Sequence, residues 1–367
     1  MTAPRRKVGA VLAALLALSI GAPPAAGSPP GPRLVVVKLK EPERTELLTV
    51  DALGGAGETL YSTSAWKANR AVYPFSAPSW SPDGSQIAFT TMSTEVTRFG
   101  EPQTKLALIS ADGGAVRPVP GTTNGFEPVF SPDGRSIAFA RERVKYLKRR
   151  RGSGLFESFS IWLADLETGK SKPLTPWRNG VFLFPSSFSP DGSRLALSRA
   201  VEGRPTDAVE IGLDGHPIRV LARNAFEPVY SPDGQSIAFL RGPWRERVRH
   251  FPHRGRLLAS ARFTDVFVKR SAGGGLRRLT DTKNAVEESP RWDPSGQRLA
   301  YTLWRPFGSP SESPFRAEAT AMGFGKSVGE VNADGTCPTT ILSETISLHY
   351  AAVWQPGLGR EAGPIAC

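Results

Sequence analysis

The sequence predicts an all-β fold built from six repeated four-stranded units, and three observations carry that expectation. A phrase of aromatic-Ser-Pro-Asp-Gly type recurs, a short apolar strand follows most copies, and Gly (37) and Pro (33) are abundant among the 367 residues. That composition favours turns and short strands over long helices. With 40% hydrophobic residues the chain can fill a sizeable core, which excludes wholesale disorder.

The phrase reads Trp80-Ser81-Pro82-Asp83-Gly84, Phe130-Ser131-Pro132-Asp133-Gly134, Phe188-Ser189-Pro190-Asp191-Gly192 and Tyr230-Ser231-Pro232-Asp233-Gly234. Decayed copies read Trp292-Asp293-Pro294-Ser295-Gly296 and Trp354-Gln355-Pro356-Gly357. The aromatic anchors lie 50, 58, 42, 62 and 62 residues apart, so six anchors mark six units.

Within a unit each element has a physical reason. Pro pre-sets φ for a turn, Asp caps it through its side chain, and Gly supplies a positive φ. The strand after the turn is apolar: Ile87-Ala88-Phe89, Ile137-Ala138-Phe139, Leu195-Ala196-Leu197, Ile237-Ala238-Phe239 and Leu299-Ala300-Tyr301. This is a hairpin pattern. Third strands are expected at 105–110, 160–164, 265–269 and 330–332. Second turns such as Ala111-Asp112-Gly113-Gly114 and Glu167-Thr168-Gly169-Lys170 follow. Short fourth strands at 172–175, 218–221 and 276–280 complete the units. Four antiparallel strands repeated six times make a β-propeller.

The ends complement each other. Trp354 closes an innermost-strand pattern with no second strand behind it, while 33–39 is a strand with no anchor before it. The sixth blade is therefore expected to take its innermost strand from the C-terminus and its other strands from 33–39, 46–50 and 59–62. Closing the last blade with N- and C-terminal strands removes exposed sheet edges.

The wording of the repeat resembles the TolB-type six-bladed propeller family, whose blades read aromatic-Ser-Pro-Asp-Gly before an Ile-Ala-Phe strand. The resemblance covers nearly the whole chain after residue 27. It implies a periplasmic, non-catalytic propeller that contacts envelope proteins, and its motifs specify a fold without carrying chemistry. The family places an α/β domain before the propeller. Here the first blade strand follows the leader almost directly, and no family contact residue is carried over.

Residues 1–27 read as a secretory leader. Arg5, Arg6 and Lys7 precede the apolar run 8–20, Gly21-Ala22-Pro23-Pro24 breaks it, and Ala25-Ala26-Gly27 offers a cleavage site. Residues 28–367 then form one exported propeller domain, periplasmic, cell-envelope or extracellular, with no transmembrane segment. Export permits a disulfide between Cys337 and Cys367. Closing a loop of roughly 30 residues would contribute about 3–4 kcal/mol.

The net charge of +12 falls to +9 without the leader. Two stretches exceed that remainder together: 141–158 carries +5 and 241–262 carries +6. With strands lettered A to D from the channel outward, the long B–C connections 142–158, 242–263 and 305–325 are expected as loops on one face. The candidate binding residues there are Arg143, Lys145, Arg149, Arg150 and Arg151, with Arg245, Arg247, Arg249 and Arg254. Tyr146, Phe156, Trp244 and Phe251 are interleaved with them. Arg beside aromatics suits carboxylate, phosphate or an anionic polymer; export argues against nucleic acid.

A second candidate group sits nearer the channel. The D–A connections read Gly125-Phe126-Glu127-Pro128, Ala225-Phe226-Glu227-Pro228 and Glu287-Glu288-Ser289-Pro290. Glu127, Glu227 and Glu288 are expected to line the channel mouth inside the basic rim, most simply salt-bridged to its arginines.

Catalytic motifs are weak. Gly325-Lys326-Ser327-Val328-Gly329 fits a nucleophile elbow but abuts a predicted propeller strand rather than a strand-turn-helix. No metal or cofactor is assigned. The expected function is a monomeric, non-catalytic scaffold that binds an unidentified protein or an anionic envelope polymer through its long-loop face. The alternative is a lyase or hydrolase-like propeller enzyme acting on an acidic sugar polymer. That alternative requires His250 or His253 to meet Glu127 or Glu227.

Overall fold

The computed structural model describes residues 33–40, 44–51, 58–64, 71–72, 76–96, 102–149, 152–213, 219–251, 255–282, 285–304, 327–343 and 348–356, with Pro364 and Cys367. In chain order the strands are Arg33–Lys40 (β1), Arg44–Asp51 (β2), Glu58–Ser64 (β3), Ala71–Val72 (β4), Ser79–Trp80 (β5), Gln86–Val96 (β6), Pro102–Ser110 (β7), Gly113–Pro118 (β8) and Gly125–Phe130 (β9). They continue with Ser136–Arg149 (β10), Gly152–Asp165 (β11), Ser171–Pro173 (β12), Val181–Phe188 (β13), Arg194–Val201 (β14), Asp207–Gly212 (β15), Arg219–Ala222 (β16), Phe226–Tyr230 (β17) and Ser236–Arg241 (β18). The last are Trp244–Phe251 (β19), Gly255–Arg262 (β20), Asp265–Arg270 (β21), Arg277–Arg278 (β22), Val286–Trp292 (β23), Arg298–Trp304 (β24), Ser327–Asn332 (β25), Thr339–Ser343 (β26) and Leu348–Trp354 (β27).

These strands form an all-β, six-bladed propeller of mostly four-stranded antiparallel sheets. Four blades run β9-β10-β11-β12, β13-β14-β15-β16, β17-β18-β21-β22 and β23-β24-β25-β26 from the channel outward. Another sheet has the order β27-β1-β2-β3, with Leu34 opposite Trp354 and Val36 opposite Leu48. The innermost strands touch in sequence around the channel, from β5 to β9, β13, β17, β23 and β27, and β27 touches β5 again.

Two expectations need correction. The blade that starts at Trp80 has five strands, because β4 and β5 both pair with β6 as two pieces of one inner strand. Within the connections 142–158 and 242–263 the described residues are mostly strand, not loop. Strands β10 and β11 stay paired out to Arg149 opposite Gly152, and β19 and β20 form a separate two-stranded ribbon. The sequence of these strands lacks the regular apolar alternation that marks a half-buried strand, so it reads as a loop. The connection 305–325 lies outside the described residues, as does the leader.

The repeated turn is held by its own side chains. Ser131 Oγ donates to Asp133 Oδ1 at 2.5 Å, Asp133 Oδ1 accepts the Arg135 N–H at 3.0 Å, and Ser131 Oγ accepts the Ser136 N–H at 3.0 Å. The turns at Ser81, Ser189 and Ser231 repeat the Ser-to-Asp bond at 2.5 Å. These bonds favour the ionised carboxylate, so Asp83, Asp133 and Asp233 titrate below the usual range and Asp191 is held down to about 2. Each turn glycine faces the turn proline of the preceding blade: Gly134 lies against Pro82, Gly192 against Pro132, Gly234 against Pro190 and Gly296 against Pro232. Gly84 lies instead against Pro356, and Gln355 Nε2 donates to the Gly84 carbonyl at 2.9 Å.

The core lies between blades, and the Ile-Ala-Phe strand explains how. With a period of two, its large and small residues face opposite neighbours. Ile137 and Phe139 pack with Leu106, Leu108 and Val119 of the preceding blade, whereas Ala138 packs with Leu195 and Leu197 of the following one. Ile237, Ala238 and Phe239 divide in the same way. A large side chain from one blade therefore fills the space that the neighbour's alanine leaves. Cys337 and Cys367 are disulfide-bonded, with Cα atoms 5.3 Å apart.

Candidate functional site

Glu127 and Glu227 lie inside the innermost strands β9 and β17, not in the connections before them. Each precedes a proline, which has no N–H to give the ladder, and the pairing register shifts at that point. The bulge puts Glu127 at φ 54° and Glu227 at φ 50°. For a long side chain this left-handed conformation costs about 1–3 kcal/mol, a cost typical of sites where geometry matters. Hydroxyls of neighbouring blades hold both backbones: Ser76 Oγ accepts the Glu127 N–H at 2.8 Å and Ser198 Oγ accepts the Glu227 N–H at 2.7 Å.

Counting back three residues from each anchor shows that Ser289, not Glu288, is the third member of the series. Ser289 also precedes a proline and sits at φ 53°. Its N–H donates to Glu227 Oε2 at 2.6 Å, and the Ala77 N–H, at the same repeat position, approaches Glu127 Oε2 at 3.4 Å. Glu288 stands one residue earlier, near enough to raise Glu227 electrostatically. Its neighbour Glu287 turns into the protein, where Oε2 accepts the Val266 N–H at 2.9 Å and the Thr280 hydroxyl.

The cluster is electrostatically tense. Its side chains are half-buried in the channel wall. Desolvation and then the nearby Glu227 carboxylate push Glu127 up to about 8. Desolvation also raises Glu227. The opposing cation is Arg291 of β23, whose charge acts on both carboxylates and whose own pKa burial lowers. Among the described residues neither Glu127 nor Glu227 has an ion pair within 4 Å; the side chains of the candidate rim arginines other than Arg143 lie outside the described residues. The sequence reading missed Arg291, although it occupies the position of Val129 and Val229 in the repeat.

On the face where B–C and D–A connections meet, four half-buried phenylalanines form an edge-to-face group. Phe159 lies 5.0 Å from Phe126, 5.1 Å from Phe182 and 5.2 Å from Phe184, ring centre to ring centre. The guanidinium of Arg141 sits 3.8 Å over Trp162, and that of Arg143 sits 4.3 Å over Trp177. Stacking leaves the planar forks pre-organised for oxyanions.

Of the basic candidates, Arg143 is thus placed with its side chain. Lys145 and Arg149 lie on β10, and Arg245, Arg247 and Arg249 occupy alternate positions of β19. Arg150, Arg151, Arg254 and His253 lie outside the described residues, and of His250 only the backbone on β19 is described. Ser327 opens β25 and pairs with Leu303, a sheet position with no nucleophile elbow. Among the described residues no group of three or more His, Cys, Asp or Glu side chains is arranged to hold a metal ion. No helix among them is long and apolar enough to cross a membrane.

No family model matches the chain. By sequence it is similar to the Tol-Pal system protein TolB of Anaeromyxobacter dehalogenans, 29% identical over 180 residues that make up 45% of this chain and 36% of that protein. It is also similar to the TolB of Francisella tularensis subsp. mediasiatica, 28% identical over 232 residues, covering 62% of this chain and 45% of that protein. The match therefore spans less than half the length of each relative. Among solved structures, TolB from Acinetobacter baumannii superposes with a TM-score of 0.58 at 19% identity, covering 89% of this chain and 67% of that one. The putative TolB from Agrobacterium tumefaciens gives 0.54 at 16% identity, covering 88% and 92%.

Proposed function

We propose that this distant relative of the TolB propellers is an exported, non-catalytic scaffold that binds a protein or an anionic envelope partner. In this reading residues 1–27 are a secretory leader, and 28–367 form one monomeric domain in the periplasm or cell envelope. The relatives' place in a Tol-Pal system and the Cys337–Cys367 disulfide both support export. The sheet that joins Leu348–Trp354 to Arg33–Lys40 acts as the clasp of the ring.

One observation carries the binding reading: the two faces differ in kind. The face of the Ser-Pro-Asp-Gly turns repeats almost without change. The opposite face collects the extended β10–β11 hairpin, the β19–β20 ribbon, the stacked arginines and the phenylalanine group. Projecting, varied connections on a rigid scaffold are where binding usually resides. A partner with acidic groups around an apolar centre would match the arginines and phenylalanines, and its cationic or amide groups would match the channel carboxylates.

The test is a pull-down from envelope extract comparing the wild-type chain with a variant whose residues 142–157 are replaced by a short turn. The variant is expected to fold and to lose the captured partner. Equal capture by a folded variant would count against this face.

A further inference from the structure

The face described above also contains a cleft that the sequence reading did not single out. It has a volume of about 370 Å³ and is lined in part by Arg199, Arg204, Asp207, Arg223 and Asn224. The three arginines come from separate segments: Arg199 from β14, Arg204 from the turn after it, and Arg223 from the connection between β16 and β17.

Asp207 is the single acid lining this cleft, and it is already engaged. Its Oδ2 pairs with Arg199 at 3.3 Å, and its Oδ1 accepts the Asn224 N–H at 3.1 Å. It thereby positions Arg199 and leaves the other two charges uncompensated. Among the described residues, the guanidinium groups of Arg204 and Arg223 have no ion pair and no hydrogen bond. Arg241 of the next blade crowds the same place, donating from a terminal nitrogen to the Arg223 carbonyl at 3.1 Å. Arg141, Arg199 and Arg241 hold one repeat position, the eleventh after the aromatic anchor, so the propeller itself brings arginine to this level of the face.

We propose that this cleft binds a doubly charged oxyanion of the phosphate type. Three arginines against one aspartate leave an excess of two positive charges. Planar guanidinium forks arriving from three segments suit the several oxygens of a tetrahedral anion better than the flat pair of a single carboxylate. The proposal rests on the reading that this face carries binding, and it names the chemistry one part of that face takes. The group comes either free, as phosphate, or as a phosphomonoester on a sugar.

The test is an isothermal or NMR titration of the full exported domain with inorganic phosphate, and separately with glucose 6-phosphate, at fixed ionic strength set by chloride. Saturable binding is expected for the wild-type protein. The R204A/R223A variant should bind at least tenfold more weakly with an unchanged melting temperature, since both side chains are exposed and, among the described residues, unpaired. A second variant, R204K/R223K, keeps the charge and should recover only part of the affinity. R135A, an exposed arginine on the opposite face, should bind as wild type. Tighter binding of glucose 6-phosphate than of phosphate identifies the ester as the source, and the reverse identifies the free ion. Non-saturable binding, or equal loss in R135A and R204A/R223A, overturns the proposal. If the 142–157 variant loses its partner while phosphate fails to bind, the face reading stands and the cleft assignment falls.

Discussion

The two faces of this propeller solve opposite problems with the same six blades. On one face, Ser, Pro, Asp and Gly bond among themselves within each turn, and each glycine meets the proline of the blade before. The Ser and Asp side chains of the four complete turns bond locally, and Asp83, Asp133, Asp191 and Asp233 are held in their ionised form. Along the channel wall Glu127 and Glu227 sit in a left-handed bulge and resist ionisation and Arg291 is desolvated, and on the other face the guanidinium groups of Arg204 and Arg223 have no ion pair or hydrogen bond among the described residues. The first face is satisfied from within, and the second leaves donors, charges and strain that a ligand can relieve. The contrast is an argument for where binding occurs, because structure alone gains nothing from the second arrangement.

Three changes would break or sharpen this contrast, beginning with the largest. Deleting residues 28–40 removes β1, which lies between β27 and β2. Both neighbours would then present unpaired edges. Loss of a cooperative melt and of monodispersity by size-exclusion chromatography is expected; an unchanged melting temperature would refute the clasp. Next, Phe139 is fully buried between blades. Phe139→Ala should cost about 3–5 kcal/mol in denaturant unfolding. Phe126→Ala, at the half-buried group on the face proposed to bind, should cost markedly less while weakening partner capture. Comparable stability losses without a binding effect would make the phenylalanine group ordinary core.

How much of this was legible in the sequence follows from the range of the interactions. The turns were readable because Ser131, Asp133 and Gly134 act within a few residues of each other. The strand Ile137-Ala138-Phe139 was readable because blade packing imposes one large-small-large rule at each repeat. The disulfide was readable because only two cysteines exist. The arginine-rich stretch after Arg141 was misread as a loop because it lacks the apolar alternation by which a strand is recognised. Glu288 was placed in the wrong register because the acidic pair before Ser289 hid the count back from Trp292. Arg291 and the Arg199–Arg204–Arg223 cleft were invisible for a further reason. Arg291 faces carboxylates of other blades, and the cleft residues come from separate segments of one blade, so only the folded sheets bring them together.

The smallest effect has the sharpest sign. Glu127 titrates near 8 in the folded chain, above the ordinary 4.5 of an unfolded glutamate. The folded state therefore holds the proton more tightly, and stability falls as pH rises from about 4.5 through about 8. Asp191 behaves oppositely. Its folded pKa of about 2 lies below the ordinary 3.8, so its contribution is present above 3.8 and is lost as pH falls toward 2. Glu127→Gln should flatten the decline in melting temperature between pH 5 and 8 and leave the acid limb untouched. Asp191→Asn should flatten the acid limb alone, by a small amount because the turn is solvent-exposed. A single variant that alters both limbs would mean that the two faces are coupled through the blades, and the division of labour between them would have to be abandoned.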